Sequence, residues 1–178
     1  MKTVMGKLFM KNILILNGSP RKTGRTNKLV ESFVRGAETN NDITEFHLYD
    51  MNLNGCMGCQ SCRSNDSGNP CIQEDDMNLI YDAFLKADII VFASPVYFWT
   101  VTGVLKTAVD RLYALLTILG YAEFEKESIL IMTAGGVDYS QAQKWYESFE
   151  KNLNWKNLAE ILGANKTEEA ENLGKTIL

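Results

Sequence analysis

The sequence predicts a three-layer α/β fold around a parallel five-stranded sheet. The first observation is three short apolar runs: Ile13-Leu14-Ile15-Leu16, Ile89-Ile90-Val91-Phe92-Ala93 and Ile129-Leu130-Ile131-Met132. Uninterrupted runs of this length suit strands buried on both faces. The second is that stretches with helical apolar spacing separate these runs, which implies right-handed βαβ units. The third is that each run ends in a turn-forming loop, at Asn17-Gly18, Ser94-Pro95 and Thr133-Ala134-Gly135-Gly136.

Taken in order, the first strand is followed by a helix bearing Leu29, Val30, Phe33, Val34 and Ala37. Phe46-His47-Leu48-Tyr49 alternates weakly and predicts a second strand nearer the sheet edge. Residues 50–76, rich in Asn, Ser, Gly and Cys, read as an insertion loop. Glu74-Asp75-Asp76 then sets carboxylates at the start of a helix carrying Met77, Ile80, Tyr81 and Phe84, where they complement the helix dipole. After the central strand, Val101, Val104, Leu105, Ala108, Val109 and Leu112 mark a helix that Leu115, Leu116 and Leu119 extend. A helix with Ala142, Trp145, Tyr146, Phe149 and Leu153 follows the next strand. A weak strand over residues 158–162 and a helix from about Thr167 complete the chain. Five strands in one domain suggest the flavodoxin-like order 2-1-3-4-5.

At 178 residues the chain is expected to be one domain, residues 1–178, with an N-terminal extension over residues 1–10. Its net charge of −4 argues against non-specific binding to nucleic acid or a membrane surface. No apolar run reaches transmembrane length, and the first nine residues lack the apolar core of a signal peptide. A cytoplasmic location with reduced cysteines is therefore expected.

In a sheet of this order, ligands bind beyond the carboxyl ends of the strands. The loop Gly18-Ser19-Pro20-Arg21-Lys22-Thr23-Gly24-Arg25-Thr26-Asn27 is neither a Walker A motif nor a Gly-x-Gly-x-x-Gly turn. It still presents backbone amides, the side chains of Ser19, Thr26 and Asn27, and the charge of Arg21 to an anion such as phosphate. In the second loop, Pro95, Val96, Tyr97, Phe98 and Trp99 suit a flat heteroaromatic ring or a subunit interface. Ala134, Gly135 and Gly136 supply small residues where backbone could approach such a ring, although a Gly-Gly turn before a helix is commonplace.

All four cysteines, Cys56, Cys59, Cys62 and Cys71, fall in the loop after the second strand, on the same rim. Four thiolates so spaced can hold one metal ion or an iron–sulfur cluster, or act as a thiol relay. Structural zinc sites more often use two separated pairs. The single histidine, His47, reads as a packed or sheet-surface residue, and Lys106 and the Asp110-Arg111 pair as helix or interface electrostatics.

The segments Gly18-Ser19-Pro20-Arg21…Gly24-Arg25-Thr26-Asn27, Ser94-Pro95-Val96-Tyr97 and Leu105-Lys106…Asp110-Arg111, in this order, resemble the NADPH-dependent FMN reductase family. The resemblance covers Asn12 to about Trp155. It implies FMN phosphate on the first loop, the isoalloxazine flanked by residues 95–98, and its other side closed by residues 134–136. It further implies NAD(P)H as electron donor, a small-molecule or redox-protein acceptor, and a homodimer or homotetramer. Cys56-x-x-Cys59-x-x-Cys62…Cys71 looks like the iron–sulfur flavoprotein branch, whose cysteines hold a [4Fe-4S] cluster, although the last gap is longer than that branch usually has. Because the cofactor carries the chemistry, no side chain is assigned a catalytic role. A non-enzymatic electron carrier of the flavodoxin type, or a flavin-free interaction domain, would share this fold.

Overall fold

The computed structural model describes residues 10–64 and 69–178. Nearly all of the expected N-terminal extension lies outside the described residues. Five parallel strands, β1 (Asn12–Asn17), β2 (Asp42–His47), β3 (Ile89–Pro95), β4 (Glu127–Thr133) and β5 (Lys156–Leu162), form one sheet in the order β2-β1-β3-β4-β5. This is the predicted flavodoxin-like topology.

Among the described residues, six α-helices cover the two faces: α1 (Arg25–Ala37), α2 (Met77–Lys86), α3 (Gly103–Arg111), α4 (Tyr113–Glu123), α5 (Ser140–Leu153) and α6 (Thr167–Thr176). Side chains alternate along a strand, so each apolar run serves two cores at once. Ile13, Ile15, Val91 and Ile131 pack with Leu29, Val30 and Phe33 of α1 and Ala170 of α6. Leu14, Leu16, Phe92 and Leu130 pack on the other face with Ile80 and Phe84 of α2, Leu105 of α3 and Tyr146 of α5. This double burial is why the middle of each central strand is an unbroken apolar run, with polar residues only toward the strand ends.

Two elements differ from the sequence reading. The second strand ends at His47, and Leu48–Asp50 form a 3-10 turn instead of continuing it. Leu48 is fully buried beneath that turn, which gave the segment its strand-like apolar beat. The long helix expected across residues 101–119 is two helices, α3 and α4, separated at Leu112. Leu112 N–H divides between the carbonyls of Ala108 and Val109, both at 3.1 Å, and the new helix begins from its own carbonyl. Leu112, Ala114 and Leu115 nevertheless share one core, so the apolar spacing runs across the break.

Candidate functional site at the carboxyl rim of the sheet

Three rim loops converge on a cavity of about 720 Å³. Volumes of roughly 300–1,000 Å³ are usual for a small ligand or cofactor. Its first wall is the β1–α1 loop with the first turn of α1, from Ser19 to Lys28; its other walls are Pro95-Val96-Tyr97 and Thr133-Ala134-Gly135.

The first loop is held by its own polar residues. Asn17 Oδ1 accepts from Ser19 N–H at 3.0 Å, and Asn17 Nδ2 donates to Asn27 Oδ1 at 2.8 Å. Asn27 Nδ2 in turn donates to the Lys22 carbonyl at 2.8 Å, which pins the loop across its mouth. Gly18 is needed for close approach: a Cβ there would stand 2.5 Å from Thr102 Oγ1 and 2.9 Å from Leu105 Cβ. The backbone accordingly docks on β3, with Gly18 N–H donating to the Ala93 carbonyl and Thr102 Oγ1 to the Gly18 carbonyl.

Helix α1 opens at Gly24 with no capping side chain and no acidic residue in its first turn. Its first amides are therefore without the usual side-chain acceptor, and Arg21, Arg25 and Lys28 line the same cavity. Uncapped amides, the positive end of a helix dipole and three cationic side chains favour an anion. Thr26 is buried, and its hydroxyl pairs with that of Thr133 at 2.8 Å, which ties the first loop to the third.

The second loop folds into a tight hairpin in which Tyr97 and Thr100 exchange backbone hydrogen bonds at 2.9 and 3.2 Å. Its tip, Phe98 and Trp99, adopts φ of 45° and 64°, a left-handed backbone that bulky residues rarely hold. Phe98 is 91% exposed and projects from the rim. The third loop is fixed by Tyr139 Oη, which accepts from Ala134 N–H at 3.0 Å.

Of the residues singled out from sequence, Ser19, Arg21, Gly24, Thr26, Pro95, Val96, Tyr97, Ala134 and Gly135 line the cavity. Asn27, Phe98 and Gly136 do not; Asn27 braces the loop from within. Pro20, Thr23, Arg25, Lys28 and Thr133 line it without having been singled out. Arg25 and Lys28 were legible in principle, since they flank Thr26 on the first turn of the predicted helix.

The cysteine segment leaves and rejoins the fold through a closed neck. Asn52 and Asp76 are paired by two bonds: Asp76 N–H donates to the Asn52 carbonyl at 3.1 Å, and Asn52 N–H to Asp76 Oδ2 at 2.7 Å. Asp75 Oδ2 accepts from Asn54 N–H at 3.0 Å, and its Oδ1 from Met77 N–H at 3.1 Å. The buried guanidinium of Arg111 seals the neck, donating through Nη1 to Asp75 Oδ2 at 2.5 Å and to the Asn54 carbonyl at 3.0 Å. Burial alone would raise the Asp75 carboxyl. The bonds from Arg111, Asn54 and Met77 outweigh it and hold the group below the ordinary carboxylate range. The sequence reading gave Asp75 to the helix dipole and Arg111 to helix or interface electrostatics; the structure instead pairs the two as a buried seal.

All four cysteines are free thiols and line a small cavity of about 30 Å³ together with Arg111 and Tyr113. Cys59 and Cys56 are exposed, and Cys62 and Cys71 half-buried. Hydrogen bonds from the side chain and backbone of Ser61 hold the Cys59 thiol below its ordinary range. Among the described residues, no three Cys, His, Asp or Glu side chains stand close enough together to hold a metal ion as placed. His47 pairs with Glu45, two positions back on β2, at 3.3 Å. No helix among the described residues is long and apolar enough to cross a membrane.

Comparison with known proteins places this arrangement. Over residues 11–152 the chain matches the family model described as NADPH-dependent FMN reductase. An iron–sulfur flavoprotein of Clostridioides difficile (strain 630) is 33% identical over 140 residues, 76% of this chain and 60% of that protein. An iron–sulfur flavoprotein of Archaeoglobus fulgidus is 34% identical over 104 residues, 58% of this chain and 46% of its own. The chain thus spans about half the length of the curated relatives it matches. Among solved structures, an NAD(P)H:quinone oxidoreductase from Methanothermobacter marburgensis superposes with a TM-score of 0.72 at 18% identity, covering 95% of this chain and 100% of that one. An azoreductase from Bacillus anthracis str. Sterne gives a TM-score of 0.65 at 22% identity, covering 93% and 95%. These two share the fold. The family match takes in all three loops around the large cavity and the whole cysteine segment, and by it the chain belongs to the NADPH-dependent FMN reductase family.

Proposed function

We propose that this chain is an FMN-dependent oxidoreductase. In this reading it takes electrons from NAD(P)H and delivers them to a small acceptor, or to a [4Fe-4S] cluster held by Cys56, Cys59, Cys62 and Cys71. The observation that carries it is the convergence of the three rim loops on one cavity lined by Arg21, Arg25 and Lys28 from the first loop and helix and by Pro95, Val96 and Tyr97 from the second.

The residues present fit FMN. Arg21, Arg25, Lys28 and the uncapped amides of α1 would hold the phosphate, with Ser19 beside them. Pro95, Val96 and Tyr97 would face one side of the flavin ring, and Ala134 and Gly135, which lack bulk, would let backbone approach the other. When bound, FMN supplies the exchange between two-electron and one-electron chemistry. The protein's part is to hold the ring at the open rim, where a nicotinamide can reach it. The Thr26–Thr133 bond fixes the spacing between the phosphate loop and the ring loop.

For the cysteines, the donor set fits an anionic, thiolate-ligated group: four thiols around one cavity that a buried cation also lines. Holding it requires Cys56 and Cys59, on the exposed part of the loop, to turn inward toward Cys62 and Cys71. The neck leaves them that freedom, because its bonds fall at residues 52–54 and 75–77.

Self-association as a homodimer or homotetramer belongs to the same proposal. An apolar groove of about 360 Å³ between α3–α4 and α5, lined by Leu112, Leu116, Trp145 and Phe149, supports it, as do exposed Ile118 and Tyr121. Sedimentation velocity reads the stoichiometry directly.

The decisive experiment is an anaerobic absorption spectrum with flavin, iron and sulfide counts on one sample, followed by NADH and NADPH oxidation with a quinone or free flavin as acceptor. One flavin per chain and turnover of a reduced nicotinamide are expected. Bound flavin with no nicotinamide oxidation, but exchange with reduced ferredoxin, would favour an electron carrier. Colourless protein that takes up no FMN would end the flavin reading.

A further inference from the structure

Arg111 uses only part of its hydrogen-bonding capacity on the neck of the cysteine loop. Its Nη1 donates to Asp75 and Asn54, but Nε and Nη2 are buried with no partner among the described residues. A guanidinium that is 1% exposed and left with orphaned donors is costly. Native proteins retain such a group chiefly where something else completes it. The surroundings say what that could be: Arg111 lines the cavity that Cys56, Cys59, Cys62 and Cys71 also line.

The Asp75 carboxylate does not exhaust the cation. It already accepts from Asn54 and Met77 as well as from Nη1, so its lone pairs point into the neck. Tyr81 spends its hydroxyl proton on the Arg111 carbonyl at 3.0 Å, and its oxygen is hydrogen-bonded to neither Nε nor Nη2. Tyr113, beside the cavity, is engaged by Arg63, whose Nε and Nη2 donate to Tyr113 Oη at 3.0 and 2.6 Å. The cavity that Arg111 lines presents four cysteine sulfurs as acceptors for Nε and Nη2.

We propose that Arg111 is the charge partner of the group the four cysteines hold, its Nε and Nη2 donating to cysteinyl sulfur. This rests on the cluster reading above and goes beyond it by naming a positioning residue outside the cysteine motif. A cluster with four thiolate ligands is anionic, and its reduction adds a further negative charge. Potentials of such centres depend on net charge and on hydrogen bonds to sulfur. A permanent buried cation whose donors meet those sulfurs stabilises the reduced form more than the oxidised one. Arg111 therefore holds the potential of the cysteine-bound centre above that of the same site without it. Because the same side chain bonds Asn54 and Asp75, it also registers the loop on α3.

Removing Arg111 alone would strand the Asp75 carboxylate, so the test uses Asp75→Asn and the double variant Asp75→Asn/Arg111→Gln. They share a neutral amide at position 75 and differ only by the cation. Each is purified anaerobically with its FMN and reconstituted with ferrous iron and sulfide. Each is then titrated potentiometrically with the cluster followed by electron paramagnetic resonance. The double variant is expected to show a midpoint shifted to more negative potential than Asp75→Asn, at matched iron per chain. Equal midpoints in the two variants would overturn the proposal. So would a loss of iron in the double variant with an unshifted midpoint in the fraction that still binds, since that is what a purely structural Arg111 predicts. Wild-type protein that retains FMN but takes up no iron would remove the cluster reading itself, and this proposal with it.

Discussion

The hydroxyls of Thr26 and Thr133 meet at 2.8 Å across the end of β3, joining the start of α1 to the last residue of β4. In a sheet ordered β1-β3-β4, β1 and β4 are not neighbours, so this buried bond ties the helix that follows β1 directly to β4, past the strand between them.

Thr26→Glu replaces that bridge with a carboxylate in the cationic end of the cavity. The protein is expected to purify without flavin, read by absorbance near the flavin bands after denaturation. Flavin content equal to wild type would remove the anion-site assignment. Thr26→Val keeps the shape but strands the buried Thr133 hydroxyl, and should cost about 1–3 kcal/mol in denaturant unfolding.

Asp75→Ala removes the carboxylate from a pair whose side chains are 0% and 1% exposed. Breaking a buried pair by deleting one partner costs about 3–5 kcal/mol. Loosening should concentrate in residues 52–76, so hydrogen exchange there should rise well above that in β1, β3 and β4. The wild-type pair also carries a pH signature. The Asp75 carboxyl is depressed in the fold, so its contribution is present above the unfolded value near 4 and is lost as pH falls through the lower folded value.

Glu150 has the opposite sign. It is buried on α5 against the start of β4, accepting from Ser128 Oγ, which in turn accepts from Tyr146 Oη at 3.0 Å. Burial raises its carboxyl, and the hydrogen bond from Ser128 does not fully offset that. Stability from this group is therefore complete below the unfolded value of about 4.3 and falls as pH rises through the folded value. Glu150→Gln should raise Tm at pH 7 and flatten the decline of stability above pH 5. A lower Tm at pH 7 would show that the ionised carboxylate is well solvated.

Gly174→Ala probes the packing of α1 on α6. A Cβ at Gly174 would overlap the Phe33 carbonyl, and one at Gly36 the Glu171 carbonyl. Forcing these helices apart should cost about 1–3 kcal/mol, with flavin affinity unchanged in the folded fraction. Calorimetry and a flavin titration on one preparation separate the two effects.

Cys59→Ala should abolish iron uptake and leave FMN bound, because the thiol lies on the cysteine loop and outside the residues lining the larger cavity. Loss of both would mean that the loop and the flavin site fold as one unit.

The central strands were legible because burial on both faces makes the middle of each one apolar, and a short unbroken apolar run bounded by turn residues fits a buried strand better than a helix. The edge strand was misplaced for the converse reason. β2 is half-exposed throughout, while the most buried residue nearby, Leu48, belongs to the turn after it. The break at Leu112 was hidden because both helices bury the same face. The rim loops announced themselves by composition, but which of their side chains face inward depends on bonds such as Asn17–Asn27 that spacing does not encode. Arg111 was the least legible, since its partner Asp75 lies 36 positions away and nothing local marks one arginine as buried.

The paired residues at Asn52 and Asp76 also bear on how such a chain can change over time. For a loop whose ends are already fastened together, doubling its length costs only about 0.6 kcal/mol. Ligands can be gained, lost or respaced there while strand order and flavin loops stay as they are. The same framework could carry a cluster in one descendant and bare thiols in another.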